Sequence, residues 1–265
     1  MKRRTLMGTG AAALVAGVLA LASLDTRAAD NPTGYKLIIP AAALSDLIKD
    51  DTKVVADALK GPKVEKKDLK RAKVATMVLG IYAEAGLSGK EAAKMEALQG
   101  QAAKVLEDLL KEDGAADAKT DAAKLGTPSG SGAKFDWLKA VWDSDNKEYD
   151  KDLAMQLFKS TRAGGLGYEK KIKDFAEKDL TAKDMTEIVN LAYKVAMISQ
   201  AVERIGPTTA MGKKSPENWV KFAKDLQASA VETGDAAAKK DAKTAKAAIG
   251  KMDKACVNCH EVFKP

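Results

Sequence analysis

The sequence predicts an all-α fold made of two tandem four-helix-bundle-like units, and three observations support this prediction. Alanine, lysine, leucine and acidic residues dominate a chain of 265 residues with only 7 prolines and 5% aromatic residues, which is a helical composition. Apolar residues recur at spacings of three and four, as on the buried face of a helix. The chain also resembles itself at offsets of 116 and 120 residues, which indicates an internal duplication.

Residues 1–29 are predicted to form a signal peptide. Met1-Lys-Arg-Arg4 is basic, residues 10–24 are apolar, and Ala20-Leu-Ala22 and Ala28-Ala29 offer small-residue cleavage sites. A membrane anchor is the alternative, but the apolar stretch is short for a span of about 20 residues. We therefore expect export to the periplasm, with no stable membrane insertion after cleavage. The arginine pair also hints at twin-arginine export.

The net charge and its distribution argue against binding to nucleic acid. The formal charge of +7 falls to +4 when the signal peptide is removed, because that segment holds four basic residues and one acidic residue. The remaining lysines alternate with acidic residues, as on solvated helix faces. Binding to nucleic acid would need a basic cluster with aromatic partners, and the sequence shows none. Weak attraction to an acidic protein partner is the most that this charge indicates.

The internal similarity divides the chain into segments. Asp68-Leu69 aligns with Asp184-Met185 at an offset of 116 residues, and residues 114–122 align with 234–242 at an offset of 120. Chance similarity between alanine- and lysine-rich helices is the alternative, but two blocks in the same order favour duplication. Gly126-Thr-Pro-Ser-Gly-Ser-Gly132 has the composition of a flexible linker. The predicted segments are a first helical unit, a connecting segment and a second helical unit, at 30–130, 131–150 and 151–265.

Capping and terminating residues mark the individual helices. Helix starts are predicted where Ser or Thr precedes an acidic residue or proline, at Ser88, Thr181 and Ser215. Helix ends are predicted at Gly61-Pro62, Gly86, Gly206-Pro207 and Gly234. A four-helix bundle is the simplest way to bury the apolar faces of such helices. In the second unit the predicted helices are Lys151–Thr161, Tyr168–Lys178, Thr181–Ile205, Ser215–Thr233 and Asp235–Phe263.

Both cysteines and the only histidine of the chain lie in one motif, Cys256-Val-Asn-Cys259-His260. This is the attachment pattern of haem c, in which two thiols form thioethers and the histidine binds iron. Positions i, i+3 and i+4 share one face of a helix, so all three side chains can reach one ligand. Haem is attached to the unfolded chain after export, which argues against the twin-arginine route.

Three other interpretations of this motif fit the sequence less well. A zinc site needs four ligands, and no fourth Cys or His exists. A Cys-x-x-Cys redox pair usually belongs to a strand-rich thioredoxin-like fold, which this composition does not predict. A structural disulfide would have poor geometry across this spacing on a helix.

The motif lies at the end of the last predicted helix and is followed by Phe263 and Lys264. In this arrangement the chain resembles the class II cytochromes c, the cytochrome c-prime group, across residues 151–265. The resemblance implies thioethers at Cys256 and Cys259, an axial ligand at His260, and packing of Phe263 and Lys264 at the haem edge. The first half resembles this family only as a degenerate copy.

The first half lacks the residues that would attach haem. Its counterpart of the motif, 120 residues earlier, is Asp136-Trp-Leu-Lys139-Ala140, which has no sulfur or imidazole. We therefore expect a haem-free bundle that docks on, shields or orients the second unit. The alternative is that it is simply additional length.

The second axial position is predicted to hold Met155. In the family, the first helix covers the distal face of the haem, and low-spin members place a methionine there. At an offset of 116 residues, the haem-free half has Ile39 in place of Met155. The alternative is that Met155 only fills the core, because a flexible thioether packs in many environments. Trp219 could pack against the haem or serve as an ordinary core residue.

These observations predict an exported monohaem c-type cytochrome that transfers single electrons to and from redox partner proteins. No catalytic triad or peroxidase-like His-Arg pair is present, so we do not expect an enzyme. The alternative is a five-coordinate haem protein that binds nitric oxide or carbon monoxide as a sensor or scavenger. Ligation of the iron by Met155 would distinguish the two functions, because an open sixth position favours gas binding. A vestigial haem module is a third interpretation, and a homodimer is left open.

Overall fold

The computed structural model describes residues 34–127, 142–143, 148–149 and 151–263, and side chains from residue 155 onward in the second half. Four α-helices lie in the first half: α1 (Ala41–Ala58), α2 (Lys66–Gly86), α3 (Ala92–Leu110) and α4 (Ala115–Ala122). Five follow in the second half: α5 (Lys151–Phe158), α6 (Tyr168–Glu177), α7 (Met185–Arg204), α8 (Pro216–Ala238) and α9 (Ala242–Phe263). The predicted all-α fold is confirmed.

Some sequence predictions fall outside the described residues. They concern the signal peptide, most of the glycine-rich linker, Asp136–Ala140 and Lys264. In the predicted connecting segment, Trp142–Asp143 pairs antiparallel with Glu148–Tyr149. Among the described helices, none has the length and hydrophobicity that a bilayer span requires.

The helices of each half follow one another around a ring of contacts. In the first half, α1 packs on α2, α2 on α3, α3 on α4, and α4 returns to α1. In the second half, α6 packs on α7, α7 on α8, α8 on α9, and α9 returns to α6. Helix α5 packs on α6 and also on α2 of the first half. A short 3-10 turn at Thr161–Ala163 joins α5 to the segment before α6.

The two halves share one continuous apolar core rather than separate cores. Leu47 and Val55 of α1, Leu79 of α2, and Ile188 and Val195 of α7 are all buried members of the same cluster. Packing of α7 against α1 and α2 creates this continuity. The first half therefore buries apolar surface against the second.

Polar contacts cross the same junction. The ammonium Nζ of Lys194 donates to Oδ1 of Asp51 at 2.7 Å, and the hydroxyl of Tyr82 donates to Oδ2 at 2.9 Å. Burial raises the pKa of Asp51, while Lys194 and Tyr82 oppose that rise. Further along α7, Gln200 exchanges two 2.9 Å hydrogen bonds with the backbone of Lys36. Buried polar groups of this kind fix one arrangement of the helices, because a shifted register would leave them unpaired.

One of the predicted helix starts holds. Ser215 caps α8 by accepting a hydrogen bond from the backbone N–H of Asn218 at 3.2 Å, and Pro216 is the first helical residue. The start predicted at Thr181 is wrong, because α7 begins four residues later, at Met185. Asp184 precedes α7 and accepts a 2.8 Å hydrogen bond from the backbone N–H of Thr181. The hydrogen bond from Lys178, together with that from Thr181, lowers the pKa of Asp184 to about 2.

Other predicted boundaries are wrong as well. Helix α3 begins at Ala92 rather than near Ser88, because residues 87–91 form a turn with its own backbone hydrogen bonds, such as Gly89 to Gly86 at 3.0 Å. Helix α5 ends at Phe158 and not at Thr161, where a short 3-10 turn follows. Helix α8 does not end at Gly234 but continues to Ala238, so α9 begins at Ala242 and not at Asp235. A Cβ atom at Gly234 would overlap the ring of Tyr193, so this glycine provides space for close helix packing.

Candidate functional site

The final helix carries the Cys-x-x-Cys-His motif on its inward face. The carboxylate of Asp241 starts α9 by accepting hydrogen bonds from the backbone and hydroxyl of Thr244 at 3.0 and 2.6 Å. The buried face of α9 then consists of Ala245, Ala248, Ile249, Met252 and Ala255. Continuing the same spacing brings the motif's cysteines and histidine to this face, where they are partly buried. Val257, between the cysteines, points outward and is 47% exposed.

The motif faces an apolar cleft between five helices. The cavity volume of the cleft is about 60 Å3, and the cleft opens to solvent. Its lining residues are Met155 and Phe158 of α5, Glu169 of α6, Val202 of α7, Trp219, Phe222, Ala223 and Leu226 of α8, and Ala255, Cys256, Cys259 and His260 of α9. Sequence-distant residues thus meet the motif in one place, and Met155 is one of them.

Aromatic side chains close one end of the cleft. The ring of Phe263 packs edge-on against Trp219, with ring centroids 5.0 Å apart, and against Phe222 at 6.2 Å. The indole N–H of Trp219 donates to the carbonyl oxygen of Val202 at 2.6 Å. Because a Cβ at Gly206 would overlap this indole, the end of α7 and Trp219 fit closely. Phe263 therefore contacts two of the residues that line the cleft.

Both thiols are protonated at neutral pH in this environment. Burial raises the pKa of Cys256 to about 12 and that of Cys259 to about 11. The negative charges of Glu169 and Asp253 add to the rise at Cys256. Since the thiolate is the reactive form of cysteine, both side chains are poor nucleophiles within the fold.

One polar contact reaches the imidazole. Nδ1 of His260 lies 3.5 Å from Oε1 of Glu169 at the first turn of α6. The imidazole is 23% exposed and the carboxylate 45% exposed. With Nδ1 beside a carboxylate, Nε2 is the ring nitrogen left for another partner.

The residues present fit a covalently held haem in their chemistry. Two thiols and an imidazole share one helical face at an apolar cleft, and a thioether sulfur comes from another helix. Within the described ranges, no three His, Cys, Asp or Glu side chains are arranged to hold a bare metal ion.

The structure brings together Cys256 and Cys259, which the sequence predicts as haem-attachment sites, with His260 and Met155, which it predicts as iron ligands. Of the other methionines, Met185, Met197 and Met252 are buried and Met211 is exposed in a loop. Sequence reasoning missed Glu169 and Phe158. Glu169 is one of 37 acidic residues and lies 91 positions from His260, so no pattern singles it out.

A smaller cleft occupies the matching place in the first half. Four residues of α3 line it, and each lies 120 positions before a residue of α8 that lines the larger cleft: Gln99, Ala102, Ala103 and Leu106 precede Trp219, Phe222, Ala223 and Leu226. The correspondence at an offset of 120 residues does not extend to the next helix. Gly114 immediately precedes α4, whereas Gly234 lies inside α8. Ile39, the counterpart of Met155, is buried just before α1.

No family model, curated protein or solved structure gives a significant match to this chain.

Proposed function

We propose that this protein is an exported monohaem c-type cytochrome that transfers single electrons. The observation that carries the proposal is the convergence of Cys256, Cys259, His260 and Met155 on one apolar cleft. Nothing in the proposed role requires bond-making chemistry by the protein, so it is a carrier and not an enzyme. Export depends on residues 1–29, which the sequence predicts to be a signal peptide directing the chain to the periplasm.

Each residue of the motif has a distinct role in this proposal. Cys256 and Cys259 would each contribute a sulfur to a thioether, and His260 would supply the proximal nitrogen. Met155 would supply the distal sulfur, because it lines the same cleft from a different helix. Haem, when bound, would provide the ferric–ferrous couple that carries the electron.

The remaining residues would set the environment of the site. Val202, Ala223 and Leu226 present apolar surface that excludes water, and a methionine ligand favours a higher reduction potential. The high pKa values of the two thiols agree with attachment before folding, since a folded chain would offer almost no thiolate. The exposed end of α9, around Val257, is the accessible side of the motif for an electron-transfer partner.

We also infer that the chain consists of two tandem four-helix bundles, the first without haem. The support is the equal ring order of α1–α4 and α6–α9, and the two clefts whose lining residues correspond at an offset of 120. The shared core and the buried Lys194–Asp51 pair support a docking role for the first bundle.

The direct test is the mass and absorption of the mature protein, produced in cells competent for cytochrome maturation. We expect the mass of the polypeptide plus one haem, and a Soret band. The double variant Cys256→Ala/Cys259→Ala is the control and should lack covalent haem. A wild-type mass equal to the bare polypeptide, without Soret absorption, would overturn the proposal.

Met155 is tested separately by its response to carbon monoxide. We expect the reduced wild-type spectrum to be low-spin and unchanged by the gas, whereas Met155→Leu should become responsive to it because the thioether is lost. Met185→Leu, a matched change at a buried methionine of α7, should behave like the wild type. A wild-type protein whose reduced spectrum is already high-spin and changes with carbon monoxide would favour the gas-binding alternative and exclude Met155 as a ligand.

A further inference from the structure

The contact between Glu169 and His260 assigns a role to a residue outside the attachment motif. We propose that Glu169 is a positioning residue that accepts a hydrogen bond from Nδ1–H of His260 and thereby lowers the reduction potential of the site. This inference rests on the proposed function, because it concerns His260 as an iron ligand. It adds a carboxylate from α6 to the set of residues that determine the properties of the site.

The fold holds this carboxylate opposite the end of α9. Gly167, in the left-handed conformation with φ 79°, turns the chain into α6, and the buried ring of Tyr168 anchors the first turn that carries Glu169. The other end of α6 is tied to α9, since Nζ of Lys246 donates to the carbonyl oxygens of Phe175, at 3.4 Å, and Lys178. The position of Glu169 therefore follows from helix packing and not from one side-chain rotamer alone.

The carboxylate would act on the imidazole in two ways. A histidine that ligates metal commonly donates its second ring N–H to a carboxylate, which fixes the tautomer and makes the ligating nitrogen more basic. A more basic ligand stabilises ferric over ferrous iron and lowers the potential. The 3.5 Å separation exceeds the 2.7–3.2 Å of an ordinary N–H···O bond, so a small movement of the half-exposed Glu169 side chain completes the bond.

The competing interpretation is an ordinary surface contact. Exposed ion pairs typically contribute little, and any nearby negative charge would lower the potential somewhat. Glu261 provides the matched control, because it is an exposed carboxylate next to His260 in sequence. Neutralising Glu261 removes the same charge without removing the partner of Nδ1.

The experiment measures the reduction potential of the haem-loaded wild type, Glu169→Gln, Glu169→Ala and Glu261→Gln. We expect Glu169→Ala to shift the ferric–ferrous equilibrium towards ferrous by about tenfold, which is about 59 mV for one electron. Glu169→Gln keeps the side-chain volume and should shift the equilibrium less. Glu261→Gln should shift it least. Proton NMR should show the Nδ1 proton of His260 exchanging with solvent faster in Glu169→Ala than in Glu261→Gln.

The outcomes separate the two proposals. If the wild type carries no haem, the proposed function fails. If it carries haem but Glu169→Ala and Glu261→Gln shift the potential equally, Glu169 is only a general charge and the positioning role is overturned. An Nδ1 proton that exchanges equally fast in both variants would overturn it as well, even where the potentials differ.

Discussion

Replacing Lys194 with methionine should destabilise the protein strongly, because it would leave a buried carboxylate without its cation. Asp51 is fully buried and Lys194 is 8% exposed, and their ion pair joins α1 to α7. Methionine retains most of the lysine stem and its packing, so the change removes mainly the charge. Tyr82 remains as a single hydrogen-bond donor to the carboxylate.

The size of this stability loss follows from the two protonation states that Asp51 can adopt in the variant. Leaving a buried charge unpaired costs about 3–5 kcal/mol. The alternative is to protonate Asp51, and holding a carboxyl with an ordinary pKa of 3.8 in its neutral form at pH 7 costs about 4 kcal/mol. We therefore expect Lys194→Met to lower the free energy of unfolding by about 4 kcal/mol at pH 7.

The pH dependence gives a second, independent signature of the same perturbation. Without Lys194, burial holds the pKa of Asp51 in the folded state above its unfolded value, so the folded state binds the extra proton. Stability is then lost as pH rises from the unfolded pKa towards the folded pKa. Burial also raises the pKa of Asp51 in the wild type, although Lys194 limits that rise. The deficit of Lys194→Met relative to wild type should therefore grow by about 1.4 kcal/mol per pH unit once the pH exceeds the wild-type pKa of Asp51.

Urea denaturation followed by circular dichroism at several pH values measures both quantities. Lys170→Met is the matched control, because Lys170 forms an exposed pair with Asp174 on α6 and should cost at most about 0.5 kcal/mol. Replacing Asp51 with leucine as well should recover part of the loss, since the unpaired carboxylate is removed. Equal effects of Lys194→Met and Lys170→Met, or a deficit independent of pH, would refute the reasoning.

Two further predictions concern local packing and reactivity. In the haem-free folded chain, Cys256 and Cys259 should react with iodoacetamide at pH 8 roughly a hundredfold or more slowly than in urea, because their pKa values of about 12 and 11 exceed the ordinary 9.0. Equal rates in both conditions would contradict their burial. Gly234→Ala should destabilise the protein by about 1–3 kcal/mol through overlap with Tyr193. Gly250→Ala, on the open face of α9, should instead stabilise it by up to about 1 kcal/mol, and a denaturant series that ranks the two glycines otherwise would refute the packing argument.

The sequence is informative where local chemistry decides the structure. The helical composition predicts the fold class, and Ser215-Pro216 predicts the start of α8, because capping depends on residues within one turn. Gly234 shows where such rules fail. Its neighbours in sequence suggest a helix end, but its contact with Tyr193, 41 positions away, determines its role.

The residues of the candidate site show the same contrast between local and long-range determinants. Cys256, Cys259 and His260 are recognisable because their spacing is a local property of one helix. Glu169 meets His260 only through the packing of α6 on α9, and one carboxylate among many carries no sequence signal. Lys194 and Asp51, 143 positions apart, likewise pair only because α7 packs on α1.

The position of α7 explains how the first half supports a site that lies in the second half. One side of α7 faces the first half, where Lys194 and Gln200 bond to Asp51 and Lys36. The other side presents Val202, which lines the cleft. The backbone carbonyl of Val202 accepts the hydrogen bond from the indole N–H of Trp219. A wall of the cleft is thus held by contacts with the first half, so a shift of α7 in either direction breaks buried polar contacts. This arrangement gives the first half a physical role in supporting the cleft, and it follows from the contacts of a single helix.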